Sequence, residues 1–166
     1  EPVGLAGVVC EATRFEGLLW GAIQPDGWDA TETVLSLLED SEFLPQLHLV
    51  LVDGIAFGGF NILDLERLAD RLERPTVAVM RSRPNVERIE SALQHVSEPD
   101  RRLAIMQRAG DVHEAEGVYF QVQGTSPDIA RRALEQLQYD GHIPEPLRMA
   151  HLIATAVETG ESGRRA

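Results

Sequence analysis

The chain switches between two hydrophobic periods. Residues 5–11 (LAGVVCE) and 17–23 (GLLWGAI) are short apolar runs joined by a polar turn at 12–16, which predicts a β-hairpin. Residues 29–38 carry Val34, Leu35, Leu37 and Leu38 as a helical stripe, with Thr31 as a cap near its start. The nearly unbroken run 47–52 (LHLVLV) has the pattern of a central strand covered on both faces, with His48 packed within it. At 61–72 the spacing of Ile62, Leu65, Leu68, Ala69 and Leu72 predicts a strong helix, with Asn61 as cap and Asp64 reaching back to it. Pro75 leads into a second β-rich run at 76–80 (TVAVM). Helices are expected at 85–95, 98–109, 127–138 and 145–158, and a strand at 117–123 (GVYFQVQ). This order gives an α/β fold, a mixed sheet flanked by helices. With no internal repeat or long linker, residues 1–166 read as a single domain.

Composition narrows the class without naming an activity. A chain of 166 residues and 18.3 kDa can bury one sizeable core, and 43% hydrophobic with 25% charged residues excludes wholesale disorder. No apolar run approaches the ~20 residues that cross a bilayer, and no signal peptide opens the chain. One cysteine, Cys10, excludes an internal disulfide framework and any Cys-based zinc site, and suits a reducing cytoplasm. The net charge is -12, from 27 acids against 15 basic residues, every one of them Arg. Adaptation to high salt and a GC-rich genome both account for that Lys-free acidity. A field of this sign weakens binding to nucleic acid at moderate salt. It is also uneven: residues 1–70 hold 13 acids and 2 arginines, residues 71–166 hold 14 and 13.

Ligands of open α/β sheets gather at the carboxyl ends of strands, and two segments end apolar runs with chemically useful groups. Asp53 follows LHLVLV directly, where a carboxylate can offer oxygen to a hard cation and Gly54 lets the chain turn; an Asx-turn explains the same residues. Arg81 and Arg83 follow TVAVM and suit a phosphate or other anion; plain solvent exposure is the rival reading. Gly58-Gly59-Phe60-Asn61 permits close backbone approach to an anion, yet lacks the Gly-Lys-Ser/Thr ending of a P-loop, and a tight turn feeding a helix also accounts for it. His151 is expected to pack in a core or interface. His95, His113 and His142 have no partners at metal-ligand spacing, and Cys10 reads as an inert buried thiol.

Four strings together carry a resemblance. LVLVDGIAFGGFNILDLERLADRLERPTVAVMRSRPN, DGWDAT at 26–31, IPEPLRMAHLIA at 143–154 and GESGRRA at 160–166 are similar to the archaeal proteins grouped as domain of unknown function 99. That family in turn resembles endonuclease V, a ribonuclease-H-like nuclease. The resemblance implies a ribonuclease-H-like mixed sheet and a metal-binding role for Asp53 at its centre. Arg81 stands where endonuclease V has a lysine, so a planar fork replaces a point charge. A second metal-binding carboxylate is implied at the start of the preceding helix. Glu32, 21 positions before Asp53, is the candidate by spacing, and Asp29 is its rival. Such carboxylates would hold Mg²⁺ or Mn²⁺ and activate water.

Endonuclease V also has a first strand with a further metal-binding Asp ahead of the hairpin. This sequence opens at the hairpin with Glu1-Pro2-Val3-Gly4, so the sheet is expected to lack that strand. The basic loop after Asp-Gly is replaced here by apolar residues 55–61, and the late Pro-Gly-His by Gln123-Gly124-Thr125. Two function classes stay open. One is a divalent-metal-dependent nuclease using Asp53, Arg81 and Glu32 or Asp29. The other is a catalytically degenerate module that binds a nucleic acid or protein partner through Phe57, Gly58, Gly59, Phe60 and Arg83.

Overall fold

The chain opens as the expected antiparallel hairpin, β1 (Val3–Glu11) and β2 (Arg14–Ile23), in a computed structural model that describes residues 1–163. Residues 164–166, the end of the GESGRRA string, lie outside that range. Helix α1 (Ala30–Glu39) packs on β2 and is followed by β3 (Val50–Asp53). A small hairpin of β4 (Ala56–Phe57) and β5 (Asn61–Ile62) precedes α2 (Leu65–Leu72) and β6 (Thr76–Met80). The remainder is α3 (Val86–Leu93), α4 (Pro99–Arg108), β7 (His113–Ala115), β8 (Val118–Gln123), α5 (Pro127–Gln136) and α6 (Glu145–Thr159).

Strands β3, β6, β8 and β7 form a four-stranded sheet in that order. β3 runs parallel to β6, while β8 is antiparallel to both β6 and β7. The hairpin β1–β2 is a separate sheet among the described residues. Alternation along β6 shows why TVAVM contains no charge. Ala78 points into a core with Leu35, Leu63, Leu65, Leu68 and Leu72, whereas Val77 and Val79 point into a second core with Phe120, Leu134 and Leu147. A strand covered on both faces must be apolar throughout. The result is the expected α/β mixed sheet flanked by helices. Among the described residues no helix is long and apolar enough to cross a membrane.

Several local expectations are corrected. β3 starts at Val50, so His48 lies exposed ahead of the strand instead of packed inside it. The cap of α2 is Asp64, whose carboxylate accepts the Arg67 N–H at 3.2 Å. Asn61 is in β5, fully buried, and works across loops. Its Oδ1 accepts the Ala30 N–H at 3.0 Å, and its Nδ2 donates to Gln24 O at 2.9 Å and Asp29 Oδ1 at 2.6 Å. Thr31 does not cap α1; its hydroxyl accepts the Asp64 N–H at 2.9 Å. Strand β7 was not expected, because three residues are too short to carry a periodic signal.

The loops before α1 and α2 are locked by Arg102, which is fully buried in α4. Its Nε donates to Ser97 O at 2.8 Å and one Nη to Gly27 O at 3.1 Å and to Phe60 O. The other Nη donates to Asp26 O at 2.8 Å and Ser97 Oγ at 3.2 Å. These contacts use the whole donor set of a guanidinium. Trp28 adds its ring face, 4.1 Å from the guanidinium carbons of both Arg101 and Arg102. The second anchor is the start of α6. There the Glu145 N–H donates to Leu137 O at 2.9 Å, and its buried carboxylate accepts from Arg148 Nε and Nη2 at 2.8 and 2.6 Å. The Arg148 hydrogen bonds hold the Glu145 carboxyl below the usual carboxylate range, against the upward push of burial.

Arg102→Met keeps length but removes the donors from five partly buried acceptors, so it should cost about 3–5 kcal/mol in urea denaturation. Arg101→Ala, on the exposed side of Trp28, should cost about 1 kcal/mol or less. Glu145→Gln should cost about 1–2 kcal/mol at pH 7. Because folding depresses the Glu145 pKa, its stabilisation is present above the ordinary carboxylate range and lost as pH falls through the folded-state value. Denaturation curves of parent and variant should therefore converge on acidification.

Candidate active site

The parallel register places Val50 opposite Thr76 and Asp53 opposite Val79, so both strands finish on the same side of the sheet. Gly54, at φ +72°, ends β3 with its N–H bonded to Val79 O at 2.9 Å. Arg81, just past β6, then lies beside Asp53, with Nη1 3.4 Å from Oδ1. Helix α6 brings His151, whose Nδ1 is 3.9 Å from Asp53 Oδ2. The helix is phased for this by its first turns. Leu147 is buried in the second core, and His151 is four residues on, so the same helix face meets the sheet. The three side chains are 40–44% exposed. Ion pairs at such exposure contribute roughly 0–1 kcal/mol, so packing energy gives no reason for them to converge. Chemically, the cluster offers a hard oxygen donor, a planar cation and an imidazole around one open position.

The other predicted residues lie elsewhere. Asp29 Oδ1 accepts the Gln24 N–H at 3.1 Å as well as the Asn61 amide, which makes it part of the loop framework. Glu32 pairs with Arg67 between α1 and α2. The contacts of Asp53 are with Arg81 and His151 and include neither acid. Among the described residues no three His, Cys, Asp or Glu side chains gather as a ready metal cage.

The 57–60 segment is the turn between β4 and β5. Phe57 packs against the first core, and Phe60 is half-buried. The Phe60 N–H donates to Asp26 Oδ1 at 2.8 Å, and the Asp26 N–H donates to Gly58 O at 2.8 Å. Gly59 sits at φ +88°, and a Cβ there would run into the Asp26 carboxylate. The glycines thus serve a clasp between two loops, with the Phe60 amide already engaged. Arg83 is exposed, its guanidinium 5.1 Å over the Tyr119 ring. Burial, followed by the charges of Glu145 and Glu16, pushes the Cys10 thiol up, which suits an inert thiol.

Reading the sequence as packing alone missed His151. The usable signal was its helical phase with Leu147 in PEPLRMAH. Asp53 and His151 also stand at the edge of a cavity of about 690 Å³ between β1 and β3.

Residues 1–158 match the family described as Endonuclease dU. Curated relatives are named UPF0215 protein. That of Methanopyrus kandleri is 37% identical over 165 residues, covering 95% of this chain and 84% of the relative. That of Methanothermobacter thermautotrophicus is 38% identical over 167 residues, covering 98% and 82%. Among solved structures, a protein of unknown function from Archaeoglobus fulgidus superposes with TM-score 0.92 at 32% identity, covering 95% of this chain and 91% of that one. Bacillus subtilis endonuclease V gives TM-score 0.55 at 13% identity, covering 89% and 68%, and human ENDOV gives 0.56 at 16%, covering 95% and 84%. These last two share the ribonuclease-H-like fold with this chain. Its match over nearly its whole described length makes this chain a member of the endonuclease dU family.

Proposed function

We propose that this chain is a divalent-metal-dependent nuclease acting on nucleic acid. The observation that carries the reading is the convergence of Asp53, Arg81 and His151 at the ends of two parallel strands and one helix. The residues present fit Mg²⁺ or Mn²⁺. Mg²⁺ is commonly held by one or two carboxylates with substrate phosphate oxygens and waters completing its shell, and Mn²⁺ accepts carboxylate and imidazole together. Asp53 would hold the ion, with His151 beside it. A metal bound there would supply positive charge to a phosphate oxygen and lower the pKa of a bound water.

The chain's own residues have separable parts to play. Arg81 is held to Asp53 by one long contact of 3.4 Å, so its guanidinium is free to turn onto a phosphate and bind it bidentately. His151 presents a ring nitrogen to the same space and can hold a proton there. Arg83, two residues beyond Arg81, extends the positive edge along the path of a phosphate backbone. The family's description makes DNA containing deoxyuridine the first substrate to try. A second reading, a catalytically degenerate binding module, draws support from the engagement of Asp29 and Glu32 with other partners.

With Mn²⁺ or Mg²⁺ and a deoxyuridine-containing duplex, the parent protein should nick the strand, and Asp53→Asn should reduce the rate at least about a hundredfold. Stability should change by about 1 kcal/mol or less, since Asp53 is only loosely paired. Metal-dependent cleavage that survives Asp53→Asn would sink the assignment. Binding of the same duplex without cleavage under any metal would favour the binding module.

A further inference from the structure

The end of β6 divides two sets of side chains. Asp53 pairs with Val79, whose side chain lies in the second core, so Asp53 and its neighbour His151 stand on that face. Tyr119 of β8 pairs with Met80 and therefore shares the other face with Ala78 and the first core. Along that face Gln121 donates to Gly110 O at 2.9 Å and Gln123 to Ala109 O at 3.1 Å, so both close the C-terminal end of α4. Tyr119 has no such task. It is half-buried, and its hydroxyl has no hydrogen-bond partner among the described residues and reaches water. What covers its ring is the exposed Arg83, whose guanidinium carbon is 5.1 Å from the ring centroid.

The charge of Arg83 is as unusual as its contact. Acids outnumber arginines 27 to 15 in this chain, and Arg81, Arg108 and Arg131 each pair with a carboxylate. Among the described residues no carboxylate pairs with Arg83. A cation over an aromatic ring at an exposed site adds little to stability, so folding gives no reason for the arrangement. Position gives one. Arg83 is two residues past Arg81, so their Cα atoms are at most about 7 Å apart, a span that one nucleotide can bridge. A planar guanidinium can turn its N–H edge to a phosphate and its exposed face to a second planar group. In a duplex each base is covered on both sides by its neighbours, so only an unpaired base can take that place. We propose that Arg83 and Tyr119 form a stacking shelf for one unpaired nucleobase of the strand whose phosphate lies at Asp53 and Arg81. The shelf offers flat faces and no pattern of donors and acceptors, so it grips any base and reads none. This inference rests on the nuclease reading for the place of the phosphate, but its readout is stacking and not cleavage.

The test uses a short single-stranded DNA carrying, at one position in turn, a fluorescent adenine analogue that is quenched on stacking. It is titrated with Asp53→Asn, in which cutting is slowed and the repulsion between carboxylate and phosphate is gone. The probe should be quenched at one position or two neighbouring ones, and not along the whole strand. Added to that background, Tyr119→Leu should abolish the quenching and weaken binding about tenfold, whereas Tyr119→Trp should keep both. Arg83→Gln, at an exposed position that leaves the core untouched, should also abolish the quenching, so the test stands even where a Tyr119 variant does not fold. Binding without quenching at any position, or quenching that survives both Tyr119→Leu and Arg83→Gln, overturns the shelf and leaves the nuclease reading in place. An equal loss of affinity for a fully paired duplex overturns it as well, because Tyr119 would then be only structural. So does failure of every single strand to bind, whatever duplex is cut. Quenching that depends on both residues in a parent protein that cuts nothing keeps the shelf and removes the nuclease reading.

Discussion

Parallel pairing of β3 with β6 is the constraint on which the rest of the molecule depends. Its register sends Ala78 to one core and Val77 and Val79 to the other, so both helical layers are anchored through one five-residue strand. A slip of one residue would exchange those faces and drive the larger valines into the layer built around alanine. The same register ends the two strands together, and only then can Arg81 reach Asp53. Among the described residues the other edge of β3 has no hydrogen-bonded strand beside it. Since β3 contributes only four residues, its position rests heavily on the helices above and below it.

Polar contacts, in contrast, set the loops on the α1–α2 side. A guanidinium removed from water carries a large desolvation cost, and an apolar side chain of similar volume can do as well for stability. What a long alkyl chain cannot do is hold three separate carbonyls, Asp26, Gly27 and Phe60, in one arrangement. Arg102 thereby brings the 24–29 loop against the β4–β5 turn, and the Asp26 carboxylate and Asn61 amide complete the junction from either side. The network is fully partnered, with no buried side-chain nitrogen or oxygen left unsatisfied among the described residues. In that state such a network specifies one loop geometry. It also decides what Asp29 and Gly59 do: both are consumed in holding the junction together.

The sequence was most legible where chemistry touches a periodic element. Asp53 and Arg81 abut unbroken apolar runs, and a residue directly after a buried strand is nearly bound to stand at a sheet end. The helices, the hairpin and three of the four main-sheet strands were visible for the same reason. His151 was not, because its partner lies 98 positions earlier in the chain and a histidine among Leu147, Met149 and Ala150 reads as packing. Arg102 left no trace either. Arginine is so rarely buried whole that composition argues for the surface, and its acceptors are backbone carbonyls that any sequence has. The exchange of roles between Asn61 and Asp64 is a smaller case. Both residue types cap helices, and only the tertiary demand on Asn61, from loops more than 30 residues earlier, moved the helix start to Leu65.

Acidity and phosphate chemistry are compatible once distance is considered. The charge of -12 acts through the whole surface, and exposed charges beyond about 8 Å are largely screened at physiological ionic strength. Phosphate contacts of the proposed kind at Arg81 and Arg83 would act within a few ångströms, where screening is weak. Salt therefore works in two directions. It removes long-range repulsion, and it would weaken the two phosphate contacts of the proposed reading by counterion release. For two phosphates the release slope is roughly -1.8, so raising salt from about 50 to 200 mM would cost only about tenfold in affinity. A protein that grips phosphates with many lysines loses far more over that range. On the proposed reading, few basic contacts and an acidic body would give a shallow balance between the two effects, and the affinity would fall less steeply with salt than that of a basic nucleic-acid binder.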